Sequence, residues 1–365
     1  MKALIAPYFE GNNYLEILQS ELEERDIEVI RENRAYPLWP IFLQVVKNDI
    51  DVLHLHWTHP YFIFGDHSRF KNSPIKGLLS AISAGIFVIH VFLCSLICSK
   101  IVWTVHNRVN HECVYENIDL WVSHQLVSIV DTIQIWDDQT KHELEDFLDV
   151  EINDAVTIPH GNYDPVYSET EQSKPEARDQ LSHPHEERMI LYFGRIRPYK
   201  QVSDLISAWK DIETEDSRLV IAGNSKDPDL TDEIRSMVEN TDNISLDLRY
   251  IPDEEVPTYF AACDICVFPY EKIFNSGSVL LAMTFSRPFI APQMGSIPGV
   301  DPGGNLLYEP NKQGLRNALS EAVSVDDQTL ESIGKENRTA AETKYDWDSI
   351  ADDLIEAYHG ELNAE

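Results

Sequence analysis

The sequence predicts an α/β protein made of two parallel-sheet domains, and three observations carry that prediction. Apolar strands alternate with helical stretches from residue 2 to residue 159, a pattern that specifies parallel sheets with crossover helices. The alternation stops over residues 164–188, which are rich in Glu, Ser, Pro and His, and resumes from residue 189 to residue 291. A chain of 365 residues exceeds one ordinary core and suits two domains of ~150 residues each.

In the first half, strands are expected at residues 2–7, 51–56, 100–106, 130–136 and 155–159. A helix follows Gly11, Asn12 and Asn13 and runs to about Glu24. The second half places strands at residues 189–193, 218–223, 244–248, 265–269 and 288–291. An amphipathic helix begins at Asp346-Trp347. The expected division is a first domain over 1–164, a linker over 165–187, a second domain over 188–344 and a terminal helix over 345–365. Ligands of parallel sheets bind at the carboxyl ends of strands. In the first domain those ends carry Tyr8, Asn12, His56, Trp57, His106, Asn107 and His160.

Composition excludes whole classes of function. With 29 Lys+Arg against 62 Asp+Glu the formal net charge is −33, and such a chain repels nucleic-acid phosphates. The acids are spread through periodic apolar segments rather than gathered in a tail, which is the pattern of a halophilic protein kept soluble in molar salt, as in a haloarchaeon. Five cysteines make no disulfide framework, so a reducing cytoplasm is expected. Cys263-x-x-Cys266 lacks a second ligand pair and reads as buried thiols, and no metal is expected. Met1 to Pro7 reads as a short strand with no long apolar stretch behind it, so no signal peptide is expected.

Residues 77–99 contain no formal charge. Their length fits a membrane span, whereas their position between two strands fits a crossover helix, buried or lying on a membrane surface. Trp39, Phe62 and Phe64 are candidates to flank such a surface.

The most informative segment is Tyr192-Phe-Gly194-Arg195-Ile-Arg-Pro-Tyr-Lys200. A strand ends in a glycine, which lets backbone approach a ligand, and a helix N-terminus follows. Arg195 and Lys200 add two full positive charges at that turn, as a bound diphosphate requires; the alternative is two solvated cations pairing with local carboxylates.

This turn opens an ordered set of motifs that resembles the GT-B glycosyltransferases, most nearly glycosyltransferase family 4. Arg218-Leu-Val-Ile-Ala-Gly223 is similar to the family's glycine-terminated strand. Tyr250-Ile-Pro-Asp-Glu-Glu and Ala262-Cys-Asp-Ile-Cys-Val-Phe-Pro269 resemble the segments that follow it. Val279-Leu-Leu-Ala-Met283 resembles the donor-site helix, and Arg287-Pro-Phe-Ile-Ala291 the strand after it. The match covers about residues 189–300; the first half matches more loosely, through Thr104-Val-His106-Asn107. The resemblance implies two Rossmann-like domains with parallel sheets facing a cleft. It also implies a metal-independent enzyme without a cofactor that moves a hexose from a nucleotide-sugar, GDP- or UDP-linked, to a glycan or lipid-linked acceptor.

One departure stands out. The family carries two glutamates eight residues apart, in positions that fall near Ile273 and Leu281 here. Glu271 is a candidate substitute, and Asn275, Ser276, Gly277 and Ser278 form a helix start able to cradle phosphate. The departure points to a divergent inverting branch. It also leaves open a catalytically silent sugar-nucleotide-binding partner or a nucleotide-sugar epimerase.

Transfer needs the leaving diphosphate stabilised and the acceptor hydroxyl deprotonated or oriented. Arg195, Lys200 and residues 275–278 serve the first need. For the second, His106, Glu112 and Glu116 are the candidates, and spacing does not choose among them. Gly11, Asn12, Asn13, His56 and His160 complete the candidate acceptor side, although a turn and helix cap account for residues 11–13 equally well. A lipid-linked acceptor would place the enzyme in the cytoplasm at the inner face of the cell membrane, touching it through residues 77–99.

Overall fold

The computed structural model describes residues 1–64, 73–109, 115–167 and 172–362. The chain divides into two units: Met1–His160 together with Trp347–Glu365, and Gly161–Asp346.

The first unit is built on six parallel strands: β1 (Lys2–Ala6), β2 (Glu28–Arg31), β3 (Val52–Leu55), β4 (Lys100–Thr104), β5 (Thr132–Ile135) and β6 (Ala155–Thr157), in the order β2-β1-β3-β4-β5-β6. Strands β3 and β4 are apolar on both faces except for His54, Lys100 and Thr104, as expected of strands covered on both sides. The register sets His54 opposite Val102 and Leu55 opposite Trp103, so the ends of β3 and β4 leave the sheet side by side. The terminal helix Trp347–His359 returns to this unit, and Trp347, Leu354 and Tyr358 join a core with Ile5, Leu18, Val52 and Val102.

The second unit repeats the plan with β7 (Arg188–Phe193), β8 (Ser217–Ala222), β9 (Ile244–Asp247), β10 (Ile265–Val267), β11 (Phe289–Pro292) and β12 (Leu306–Tyr308), in the order β12-β11-β10-β7-β8-β9. All of its ladders are parallel. Ile190, Tyr192, Leu205, Trp209, Leu219, Ile221 and Leu319 form its core on one face.

Two boundaries differ from the sequence reading. The stretch read as a linker over 165–187 belongs to the second unit. Within it the helix Lys174–Gln180 starts at a Ser173/Glu176 capping box and is pinned by Arg178, which is buried. Arg178 donates to Asp264 at 2.8 Å and to the Ala262 carbonyl at 3.1 Å, and Lys174 pairs with the same Asp264. Polar composition concealed an anchored segment, because its one buried cation carries the packing. The terminal helix, in turn, is part of the first unit's core rather than a separate appendage. The chain passes between units at His160–Gly161 and Asp346–Trp347.

Residues 77–99 lie within and just beyond the helix Pro74–Ser95. Ser80, Ser83, Ala84, Phe87, Val91 and Cys94 face inward, so the helix packs into the unit as a crossover. Phe62, considered for the membrane flank, is instead buried against Phe87 with ring centroids 5.7 Å apart. Cys263 and Cys266 are fully buried free thiols 3.9 Å apart.

Candidate active site

In the second unit the end of β7 is shaped by two glycines. Gly194 has φ +131° and Gly223, after β8, has φ +144°. A β-carbon on Gly223 would stand 1.9 Å from the Gly194 carbonyl oxygen. Only glycine permits this approach of one strand end to the other. A β-carbon on Gly194 would lie 3.6 Å from Lys200 Nζ and 3.9 Å from Ser278 Oγ, which places that lysine and that serine on either side of the glycine turn.

The short 3-10 turn Pro198–Lys200 brings the lysine back over the Tyr270 ring, at 5.1 Å from its centroid. Burial holds the ammonium pKa below the ordinary lysine value; Arg197 and Arg195 push the same way and Tyr199 opposes them. A charged lysine short of water gains most when an anion binds beside it. Burial pushes the pKa of the Tyr270 hydroxyl up to about 12, and the nearby Ser278 and Ser276 side chains oppose that rise.

Ser276 caps the helix Gly277–Thr284, its hydroxyl accepting from the Val279 amide at 3.4 Å. The loop before the cap is braced from behind. The Ser296 amide donates to the Phe274 carbonyl at 2.8 Å, and a β-carbon on Gly295 would sit 2.6 Å from the carbonyl oxygens of Ile273 and Phe274. Asn275 and Ser276 are buried, and Gly277 and Ser278 are half-buried. The structure therefore assembles Lys200 with residues 276–278 into one anion-shaped corner, with positive helix end, hydroxyls and ammonium together.

Arg195 is exposed on the same turn, and its carbonyl accepts from the Tyr192 hydroxyl at 3.1 Å. Glu271 is also exposed, and its carboxylate is held by Gln201 Nε2 at 3.0 Å. It lines a groove with Asp204, Tyr308 and Lys312. Tyr270, whose ring lies under Lys200, escaped the sequence reading; its place directly after the β10 strand and Pro269 was the available signal.

The first unit gathers its histidines at the ends of β3 and β4. His56 Nδ1 and His106 Nε2 are 3.0 Å apart. Trp57 stacks on His106 at 4.0 Å and 13°, and Tyr14 meets His106 edge-on at 5.3 Å. His160 packs against Tyr14 at 4.6 Å and Trp136 at 5.0 Å. His56, His106 and His160 are all buried, and each ring packs against Tyr14.

Beneath them lies a chain of hydrogen bonds with one direction. The Ile158 carbonyl can only accept, and Gln134 Nε2 donates to it at 3.0 Å. Gln134 Oε1 therefore takes the Thr104 hydroxyl proton at 2.6 Å. The Thr104 oxygen is left to accept from His54 Nε2–H at 2.7 Å. His54 is neutral, because burial pushes its pKa down to about 3, so its Nδ1 accepts from the Tyr358 hydroxyl at 2.7 Å. His54 thus serves the fold. Tyr358→Phe strands a buried acceptor and is expected to cost about 1–3 kcal/mol. A lower melting temperature would show it; an unchanged one would mean the chain is not formed as described.

The remaining acceptor-side candidates separate. Asn12 is the N-cap of the helix Asn13–Glu24, its side chain accepting from the Leu15 amide at 3.3 Å. Gly11 has φ +73°, and its amide donates to Glu16 at 2.9 Å. The cap account of residues 11–13 is thus realised in full. Glu116 is exposed in the first turn of the helix Glu116–Ile129, and Glu112 lies outside the described residues.

Two parallel six-stranded sheets with a glycine-turn anion corner define the GT-B fold. Two solved structures superimpose on nearly the whole chain. Sucrose-phosphate synthase from Thermosynechococcus elongatus aligns with a TM-score of 0.75 at 19% identity, over 98% of each chain. HepE of Anabaena, in complex with UDP and glucose, aligns at 0.70 and 17% identity over 99% of this chain and 100% of its own. Residues 187–324 match the family model described as Glycosyl transferases group 1. A GDP-mannose:glycolipid 4-beta-D-mannosyltransferase of Xanthomonas campestris pv. campestris is 29% identical over 266 residues, 71% of this chain and 67% of that protein. The chain carries a glycosyl transferases group 1 domain and is a glycosyltransferase.

Proposed function

We propose that the protein transfers mannose from GDP-mannose to a lipid-linked glycan with inversion, without a metal or other cofactor, in the assembly of surface or protein-bound glycans. The observation that carries the nucleotide-sugar site is the convergence of Lys200, Ser276 and Ser278 on the Gly194 turn. A nucleoside diphosphate leaving group gains negative charge there, beside a poorly solvated ammonium and a positive helix end. The donor and acceptor classes are supported by the name of the Xanthomonas relative. GDP-mannose carries its sugar α-linked, so a β-mannoside arises by inversion, consistent with the missing glutamate pair at Ile273 and Leu281. An inverting reaction needs a base, which we place among Glu112, Glu116 and His106. Thermal shift in multimolar KCl, suited to a charge of −33, tests the donor site. GDP is expected to stabilise the protein more than UDP or dTDP; no shift with any nucleotide would remove this reading.

A membrane location at the cytoplasmic face follows from the same acceptor class. On the helix Pro74–Ser95, Ile75, Leu78, Leu79, Ile82, Ile89 and Phe92 form an exposed stripe opposite the buried one. Leu43 and Val46 of the neighbouring helix Ile41–Asn48 extend it. Monomers seldom leave so long an apolar stripe in water. Residues 37–109 carry six Lys/Arg against three Asp/Glu in a chain of net charge −33, and this local reversal of sign suits an anionic lipid surface. Co-sedimentation with phosphatidylcholine vesicles containing phosphatidylglycerol is expected. Leu78→Glu/Phe92→Glu should reduce it by about tenfold or more, since each side chain is worth roughly 1.5–3 kcal/mol in apolar surroundings. Absence of the wild type from both anionic and neutral vesicles would contradict the location.

A further inference from the structure

Leu38 holds its backbone in the left-handed region, with φ +69°, yet its side chain is 49% exposed. A bulky residue is disfavoured in that conformation, which glycine or asparagine adopts at less cost. Here the strain does not bury the side chain; it turns an apolar group outward. The Leu38 amide donates to Ser83 Oγ at 2.9 Å. That bond docks the loop on the flank of the helix Pro74–Ser95, one turn from Leu79 of the exposed stripe. The same loop leads into the helix Ile41–Asn48, whose Leu43 and Val46 are exposed. Leu38 thus joins two apolar helix faces into one surface.

A cation on an aromatic platform stands beside Leu38. The Arg34 guanidinium lies over the Trp39 ring at 5.0 Å from its centroid. Tyr36, 51% exposed, meets Trp39 with ring centroids 5.0 Å apart. Elsewhere in this acid-rich chain arginines are taken up by carboxylates. Arg25 pairs with Glu21, Asp348 and Asp352, and Arg249 with Asp247 and Glu255. The Arg34 amide donates to Glu32 at 2.9 Å, but its guanidinium has no ion-pair partner among the described residues.

We propose that residues 34–39 are an interfacial anchor for anionic phospholipid. Leu38 and Tyr36 enter the boundary between headgroups and acyl chains, and the Arg34 guanidinium, held on Trp39, binds the lipid phosphate. The anchor rests on the membrane location proposed above and assigns it a contact chemistry. In molar salt the screening length is about 3 Å, so diffuse attraction to a charged bilayer is lost, and so is repulsion from the net charge of −33. Apolar burial and direct contact survive. Tyr and Trp settle at headgroup level, and a guanidinium engages two phosphate oxygens at once.

The test is co-sedimentation of the full chain in multimolar KCl with vesicles of phosphatidylcholine, alone or with phosphatidylglycerol. Leu38→Asn keeps the left-handed backbone and should melt at or above the wild-type temperature, while binding to both vesicles falls about three- to tenfold. Arg34→Gln should leave binding to phosphatidylcholine unchanged and lower binding to the phosphatidylglycerol vesicles about fivefold. Arg34→Lys should recover little of that loss, because an ammonium lacks the fork and the stack. GDP thermal shift should match wild type in all three, which shows them folded. Wild type on the vesicles with Leu38→Asn bound equally well, or with Arg34→Gln keeping the lipid preference, overturns the anchor and leaves the membrane location standing. Wild type absent from both vesicles overturns the two together.

Discussion

Arg195→Ala/Lys200→Ala is expected to abolish GDP binding and to reduce turnover by on the order of a hundredfold or more. The chain has 29 cations against 62 acids, so the background field repels a nucleotide, and attraction has to be local. Lys200 supplies it from a site where burial already depresses its pKa. Its charge is least screened there, and its removal should dominate the double variant. Arg195 is exposed and should contribute less, with a stronger dependence on salt. In wild type, GDP at a hundred times its dissociation constant stabilises by about 2.7 kcal/mol, a readily measured shift. Unchanged GDP stabilisation in the double variant would mean that the diphosphate binds elsewhere.

Gly223→Ala should be the most damaging single-methyl substitution in the second unit. Its added carbon meets the Gly194 carbonyl at 1.9 Å at φ +144°, and neither β7 nor β8 has room to yield. A loss of roughly 3–5 kcal/mol is expected, together with GDP binding, because the displaced turn is the one that faces Lys200 and Ser278. Gly85 makes the control. It lies in the helix Pro74–Ser95, where an added β-carbon has nothing within 4 Å. Gly85→Ala should therefore stabilise by about 0.5–1 kcal/mol. Calorimetry of the two variants reads both signs, and a Gly223→Ala protein of wild-type stability would refute the backbone packing at this turn.

Strand alternation made ten of the strands legible from sequence, and the two it missed are instructive. Strands β2 (Glu28–Arg31) and β12 (Leu306–Tyr308) are each an edge strand of their sheet. At four and three residues they are too short, and in β2 too charged, to stand out by period. Lys200 and Ser278 were readable because a glycine-ended strand and a capped helix have local signatures. Tyr358 was not, since its partner His54 is remote in sequence, and Tyr270 gained its place only from Lys200, brought over its ring from a distant turn. The cap at Asn12 shows the converse: its local signature was equally good for structure and for binding, and the structure it makes is the cap. Arg178 is similar, a buried cation inside a segment whose composition read as linker.

The most direct test of the account is transfer itself. Purified protein in multimolar KCl would be given GDP-[¹⁴C]mannose and a lipid extract containing polyprenol-linked glycans, and the label followed into the organic phase. The account predicts lipid-bound mannose in β linkage, absent in Arg195→Ala/Lys200→Ala. Label released only as free mannose, or α-linked product, by protein that binds GDP would contradict it.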